Sequence, residues 1–133
     1  MLLEIAGKRI YIAGDTAFRP DYFENPELHH ADLCILPING AFGNLNETQA
    51  AQAVQLLSPR LSIPSHYWNF AEHFGNPALF QEKMREYAPK QKYMLMRPGE
   101  VFTLQASPPV KQASPGDAES EETHENRRNP CKS

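Results

Sequence analysis

Two stretches of the chain end in residues that can do chemistry. "RIYIAGDT" runs through apolar residues to Gly14 and then presents Asp15 and Thr16, and "LSIPSHYW" runs to Pro64 and then presents His66 beside Tyr67 and Trp68. A carboxylate and an imidazole brought together form either a metal-ligand pair or a general acid–base pair. In open α/β sheets functional groups gather outside the carboxyl ends of strands, so two parallel strands ending this way would deliver Asp15 and His66 to one edge. Each residue also has an ordinary structural reading, Asp15 as an Asx turn or cap and His66 as a packed, hydrogen-bonded histidine. Spacing leaves both readings open. A Gly-Asp-Thr turn also occurs in aspartate-dependent phosphohydrolases. Their nucleophile sits in an Asp-x-Asp pattern on an earlier strand, and this sequence contains no such pattern.

The elements that must hold these residues alternate. "LLEI-AGK-RIYIAGD" reads as a hairpin around a Gly-containing turn, and "ADLCILPI" as a buried strand. "NETQAAQAVQLL" reads as a helix capped by Asn46, with Gln49 completing a capping box and Ala50, Ala53, Val54 and Leu57 on one face. "LSIP" is the next strand. "NPALFQEKMREY" reads as a second helix with Asn76 as cap, Pro77 in its first turn and an apolar stripe of Leu79, Phe80, Met84 and Tyr87. "YMLM-RPGE-VFTL" reads as a closing hairpin around Pro98–Gly99. Strands alternating with helices predict an α/β layer with parallel neighbours.

Composition narrows the function classes. The 133 residues suit one domain, and 41% of them are apolar. A net charge of −3 argues against nucleic acid or an anionic membrane surface as the main partner. No apolar run approaches a membrane span, and Glu4, Lys8 and Arg9 break any signal-peptide pattern at the start. Cys34 and Cys131 do not form a disulfide framework, which makes the cytoplasm the default location. From Ala106 onward the chain holds one Val, no Leu, Ile, Met or aromatic residue, and four prolines. That composition predicts a domain over 1–105 and a disordered polar tail over 106–133, so His124 and Cys131 are read as solvated. His73 is read as solvated or as a cap of the second helix. Tyr67 and Trp68 either line a sugar-sized pocket or plug the sheet end.

The order "IYIAGDTAF … ADLCILPINGAFGNLNETQAAQAVQLLSPRLSIPSHYWNF … RPGEVFTL" resembles the carboxyl-terminal half of metallo-β-lactamase-fold hydrolases over residues 1–104. Within them it is most similar to the L-ascorbate-6-phosphate lactonase branch. Phospholipid-cleaving phosphodiesterases of the same fold share the "AGDT" and His–aromatic pattern. The resemblance implies half of an αββα sandwich, a mixed sheet with helices on one face. It implies two divalent metal ions, Zn or Mn, with Asp15 bridging them and His66 a terminal ligand of the second. These two residues would then carry the catalysis, with Trp68 and Asn69 facing the substrate. That substrate would be a phosphorylated sugar lactone or ester. The family's first-half signature, His-x-His-x-Asp-His, is absent, and His29 and His30 in "HHADL" do not reproduce it. The start at Met1 accordingly reads as a truncation, a split gene or a mispredicted start. With two of the roughly three protein ligands a catalytic zinc site needs, the isolated chain is expected to retain metal poorly and turn over little. A phosphodiesterase of this fold, or a non-catalytic interaction module or remnant, are the alternatives. The uncovered sheet face is expected to meet a second copy or an amino-terminal half, with Ile10, Ile12, Leu33, Ile35, Leu61, Ile63, Phe102 and Leu104 divided between the two faces.

Overall fold

Ala6 and Gly7 take φ values of 50° and 70°, the two positive angles that let a two-residue turn follow the twist of its flanking strands. The first hairpin therefore forms, with β1 (Leu2–Ile5) antiparallel to β2 (Lys8–Ile12). A computed structural model describes residues 1–68, 70–71 and 74–105. Its four strands lie in the order β1-β2-β3-β4, where β3 (Leu33–Pro37) runs parallel to β2, and β4 (Ser62–Ser65) parallel to β3. Parallel neighbours need a crossover, and α2 (Glu47–Leu57) supplies the one between β3 and β4. A short α1 (Pro20–Phe23) and a 3₁₀ turn (Pro26–Leu28) link β2 to β3, while α3 (Pro77–Tyr87) follows β4.

Both long helices start where the sequence places them. The Asn46 side chain accepts from Gln49 N at 2.9 Å while Gln49 Oε1 accepts from Asn46 N at 3.1 Å, so two otherwise orphaned donors are satisfied reciprocally. Asn76 Oδ1 accepts from Ala78 N and Leu79 N. The apolar face of α2 (Ala50, Ala53, Val54, Leu57) is buried, as are Phe80 and Met84 of α3. They close over Tyr11, Cys34, Leu36 and Ile38 to make the core. Burial among apolar groups pushes the Cys34 thiol well above its ordinary range, leaving it a packed and unreactive group.

The other sheet face has a different character. The register places Leu3 beside Ile10 and Ile10 beside Leu33, and it places Ile12 beside Ile35 and Ile35 beside Ile63. These are two apolar rows across the sheet, and none of their residues belongs to the helix-covered core. The expectation that Ile10, Ile12, Leu33, Ile35 and Ile63 divide between the faces is thus corrected. In parallel strands, register partners share a side. Leu61, Phe102 and Leu104 instead line a cavity at the start of β4.

The closing hairpin is also corrected. The Pro98–Gly99 turn forms, with Glu100 N donating to Arg97 O at 3.1 Å, but no strands flank it. Tyr93 makes only an isolated parallel bridge to Ser62. Among the described residues no helix is long and apolar enough to cross a membrane. The tail over 106–133, with His124 and Cys131, lies outside the described residues.

At the end of the sheet away from Asp15, Asp32 ties three segments together. It accepts from Arg9 N at 3.0 Å and from Arg60 Nη1 at 2.8 Å, with Lys8 Nζ at 3.7 Å, and its side chain is 14% exposed. The Arg9 amide and then the Arg60 guanidinium hold its carboxyl below the ordinary carboxylate range. A depressed folded-state pKa contributes stability above the ordinary value of about 4 and loses it as pH falls through and below that value. Asp32→Asn is expected to cost about 1–3 kcal/mol near neutral pH, because charge-assisted bonds are lost. Its loss of stability between about pH 4 and 2 should be shallower than that of the wild type. Thermal melts across that range check both.

Candidate functional site

Gly14 takes φ +64° two residues past the end of β2, and His66 takes φ +61° immediately after β4. A positive φ suits glycine and strains a histidine, so both strands end in sharp departures rather than running on. The departures turn Asp15 and His66 toward each other, with Asp15 Oδ1 at 3.6 Å from His66 Nδ1. The two residues singled out in the sequence are therefore together at the carboxyl edge of the sheet. The Asp15 side chain is 81% exposed and that of His66 27%, and Nδ1 itself is shielded from solvent. Two ligands of one tetrahedral zinc ion, at about 2.0–2.2 Å each, have donor atoms about 3.4 Å apart. The pair fits a shared divalent cation, and the same 3.6 Å separation is also that of a direct Asp–His pair.

The surroundings fix both side chains. Asn44 is 7% exposed; its Nδ2 donates to Asp15 Oδ1 at 3.2 Å, and its Oδ1 accepts from Thr16 N at 2.9 Å. Leu45 N donates to Thr16 O. The loop after β3 thus clamps the Gly14–Asp15–Thr16 turn from one side. Behind His66, Gly75 N donates to His66 O at 3.2 Å. A Cβ on Gly75 would lie 2.6 Å from Ile38 Cγ1 and 2.8 Å from His66 O, so only glycine allows the chain to pass so close. Tyr67 is buried, and its hydroxyl donates to Met96 O and accepts from Met96 N at 2.9 Å. It plugs the sheet end. Trp68 stacks edge-on against it with centroids 5.0 Å apart and stays 48% exposed at φ +59°. Asn69 and His73 lie outside the described residues.

A cleft of about 240 Å³ opens beside His66, lined by Pro64, Ser65, Tyr67, Met96, Arg97 and Pro98. Sequence reasoning missed both Asn44 and Arg97. The signal for Asn44 was the glycine-flanked loop "NGAFGN" directly after a strand, a pattern that brings backbone close to a site. His29 is spent on the fold, with Nε2 at 2.9 Å from Phe23 O. Among the described residues no group of three or more His, Cys, Asp or Glu could hold a metal ion.

No family model matches the chain. A UPF0173 metal-dependent hydrolase of Aeropyrum pernix is 32% identical over 99 residues, which is 74% of this chain and 40% of that protein. The solved structure of Igni18, described as a novel metallo hydrolase from Ignicoccus hospitalis, superposes with a TM-score of 0.62 at 32% identity, covering 76% of this chain and 43% of that one. The metallo-β-lactamase fold protein YhfI of Bacillus subtilis superposes with a TM-score of 0.54 at 16% identity, covering 68% of this chain and 37% of that one. The chain therefore has the metallo-β-lactamase fold over the part it shares with these proteins. It spans less than half the length of the relatives it matches.

Proposed function

We infer that this chain, akin through most of its length to the UPF0173 metal-dependent hydrolases, supplies the Asp15–His66 edge of a metal-dependent hydrolase whose remaining ligands come from a complementary half. The observation that carries this is the 3.6 Å separation of Asp15 Oδ1 and His66 Nδ1 beyond the ends of β2 and β4, the parallel strands that flank β3. A divalent cation, Zn or Mn by the donor set and dinuclear by resemblance, would supply Lewis acidity and an acidified water.

The chain's own residues then have distinct tasks. Asp15 presents a carboxylate whose orientation Asn44 holds. His66 presents an imidazole whose backbone is locked by Gly75 and by the Tyr67–Met96 bolt. Arg97 lines the cleft at His66, where a guanidinium suits an anionic group such as a phosphate. Trp68 offers an exposed aromatic ring against Tyr67, which lines that cleft, and Asn69 follows it in the chain. Together these favour a phosphorylated sugar lactone or ester as substrate.

A second reading, a phosphodiesterase acting on phospholipid, draws on another observation. Phe42, Phe70 and Phe74 are 78%, 66% and 66% exposed on the loops that follow β3 and β4, apolar groups a lipid chain would cover.

The test pairs the chain with a complementary His-x-His-x-Asp-His half and assays three substrates: a sugar lactone, its 6-phosphate and a phosphodiester. The lactonase reading expects the phosphorylated lactone to be preferred. It also expects Arg97→Ala to raise KM for it about 10- to 100-fold, the worth of a charge-assisted hydrogen bond, with the unphosphorylated lactone unaffected. Hydrolysis of the phosphodiester without the lactones would replace it by the second reading. No turnover of any of them would leave a non-catalytic module.

A further inference from the structure

Asn39 stands two residues beyond the end of β3, the strand between the two that deliver Asp15 and His66. Its backbone is well placed at that edge. The preceding residue, Ile38, donates its N–H to Ser65 O, the residue before His66, and the following Gly40 N donates to Leu45 O, next to Asn44. Its side chain is anomalous. Both Oδ1 and Nδ2 are buried, and neither has a hydrogen-bond partner. Most buried polar atoms in folded proteins are satisfied, and those that are not call for a reason, of which binding or catalysis is one. An apolar residue of the same size would serve the fold better, because a buried carboxamide without partners keeps its desolvation cost and gains nothing for it.

Strand alternation adds a direction. Cys34, Leu36 and Ile38 face the helix-covered core, so Asn39 falls with Ile35 and Pro37 on the opposite register of β3. That is the side on which the sheet carries its two apolar rows away from the helices, with Leu33 and Ile63 buried and Ile10, Ile12 and Ile35 half-buried. Asn39 thus sits just beyond β3, level with the ends of β2 and β4, with its carboxamide buried there.

We propose that Asn39 is a further ligand-binding residue of this site, whose carboxamide hydrogen-bonds the oxygen ligands of a divalent cation held at Asp15 and His66. An amide is suited to that task. It donates to an oxygen carrying negative charge and accepts from a bound water, and it has no charge of its own to compete for the cation. This rests on the metal reading of the Asp15–His66 pair and goes beyond it. It explains why a polar residue is retained where the fold alone is better served by an apolar one, the usual exchange of stability for function at a site.

The test uses the chain as it is, with cobalt(II) as the probe. Asn39→Leu keeps the size of the side chain and removes its polarity. The metal-free variant is expected to melt about 4–8 °C higher than the wild type, the shift that relief of a single buried polar defect produces in a domain of this size. Its affinity for cobalt(II), read from the visible absorption of the bound ion, is expected to fall about 10- to 100-fold, as when an outer partner of a metal site is lost. Asn39→Ser provides a second, smaller variant should leucine not be accommodated, with the same fall in affinity expected. Unchanged cobalt affinity in a folded variant overturns the proposal, and a lower melting temperature with unchanged affinity makes Asn39 a structural residue. Asp15→Asn separates the two levels of inference. If the wild type shows no cobalt signal that Asp15→Asn abolishes, the metal reading fails and takes this proposal with it. If Asp15→Asn abolishes a signal that Asn39→Leu leaves intact, only the role of Asn39 fails.

Discussion

Replacing His66 by alanine, or Asp15 by asparagine, is expected to abolish divalent-metal uptake by the purified chain while leaving its fold intact. The expectation follows from how few donors the edge offers. Loss of an outer partner of a metal site typically costs 10- to 100-fold in affinity, and a direct ligand must cost more. With two candidate donors 3.6 Å apart, removing either leaves one, which holds a cation no better than any exposed side chain. The wild-type affinity is itself expected to be modest, because solvent supplies most of the coordination shell. The measurement is a cobalt(II) titration of the wild type and both variants, with bound metal counted by mass spectrometry after rapid desalting. The fold should survive both changes, since Asp15 is largely exposed and the His66 side chain makes no part of the apolar core. Metal that stays bound in both variants would place the site elsewhere in the chain and remove the basis of the functional reading.

The parts of this site that could be read from sequence are those signalled locally. Gly14 and Pro64 punctuate two apolar runs, and Asp15 and His66 follow at once, so the strand ends and their chemical groups were legible together. The capping box at Asn46 and Gln49 is likewise a pattern within four residues, and it holds in the structure. What escaped was set by distance along the chain. Asn44 meets Asp15 across 29 positions and Tyr67 meets Met96 across another 29, and nothing in the residue types at one end names the other. The helix at Pro20–Phe23 and the turn at Pro26–Leu28 have four and three residues, too few for a 3.6-residue period to show. The closing hairpin failed for the converse reason. Pro98–Gly99 encodes a turn by its own backbone preferences, but flanking strands also need an edge to pair with. There the chain keeps only the bridge from Tyr93 to Ser62. The division of apolar residues between sheet faces could not be fixed before the strand register was known, because a shift of one residue exchanges the faces.

Burial of the open sheet face is expected to control whether the chain stays monomeric. The rows Leu3–Ile10–Leu33 and Ile12–Ile35–Ile63 lie side by side on the face that the helices leave. Leu3 is 38% exposed, and Ile10, Ile12 and Ile35 are half-buried. Fully burying one such side chain is worth about 1.5–3 kcal/mol, so covering even the exposed parts of several gives a strong drive to associate. The relatives that the chain matches are more than twice as long as the matched part, which leaves room in them for a complementary half over this face. Without that half, the wild-type chain is expected to self-associate at tens of micromolar by light scattering, and Ile35→Lys, at the centre of the Ile12–Ile35–Ile63 row, to return it to monomer. Adding the complementary half should also dissolve the self-association of the wild type and fail to bind the Ile35→Lys variant, since a charge placed in that row has no partner there and pays its full desolvation cost. A wild type that stays monomeric at those concentrations would show that the face is adequately covered by the chain's own side chains. The complementary-half reading would then have to rest on the Asp15–His66 edge alone.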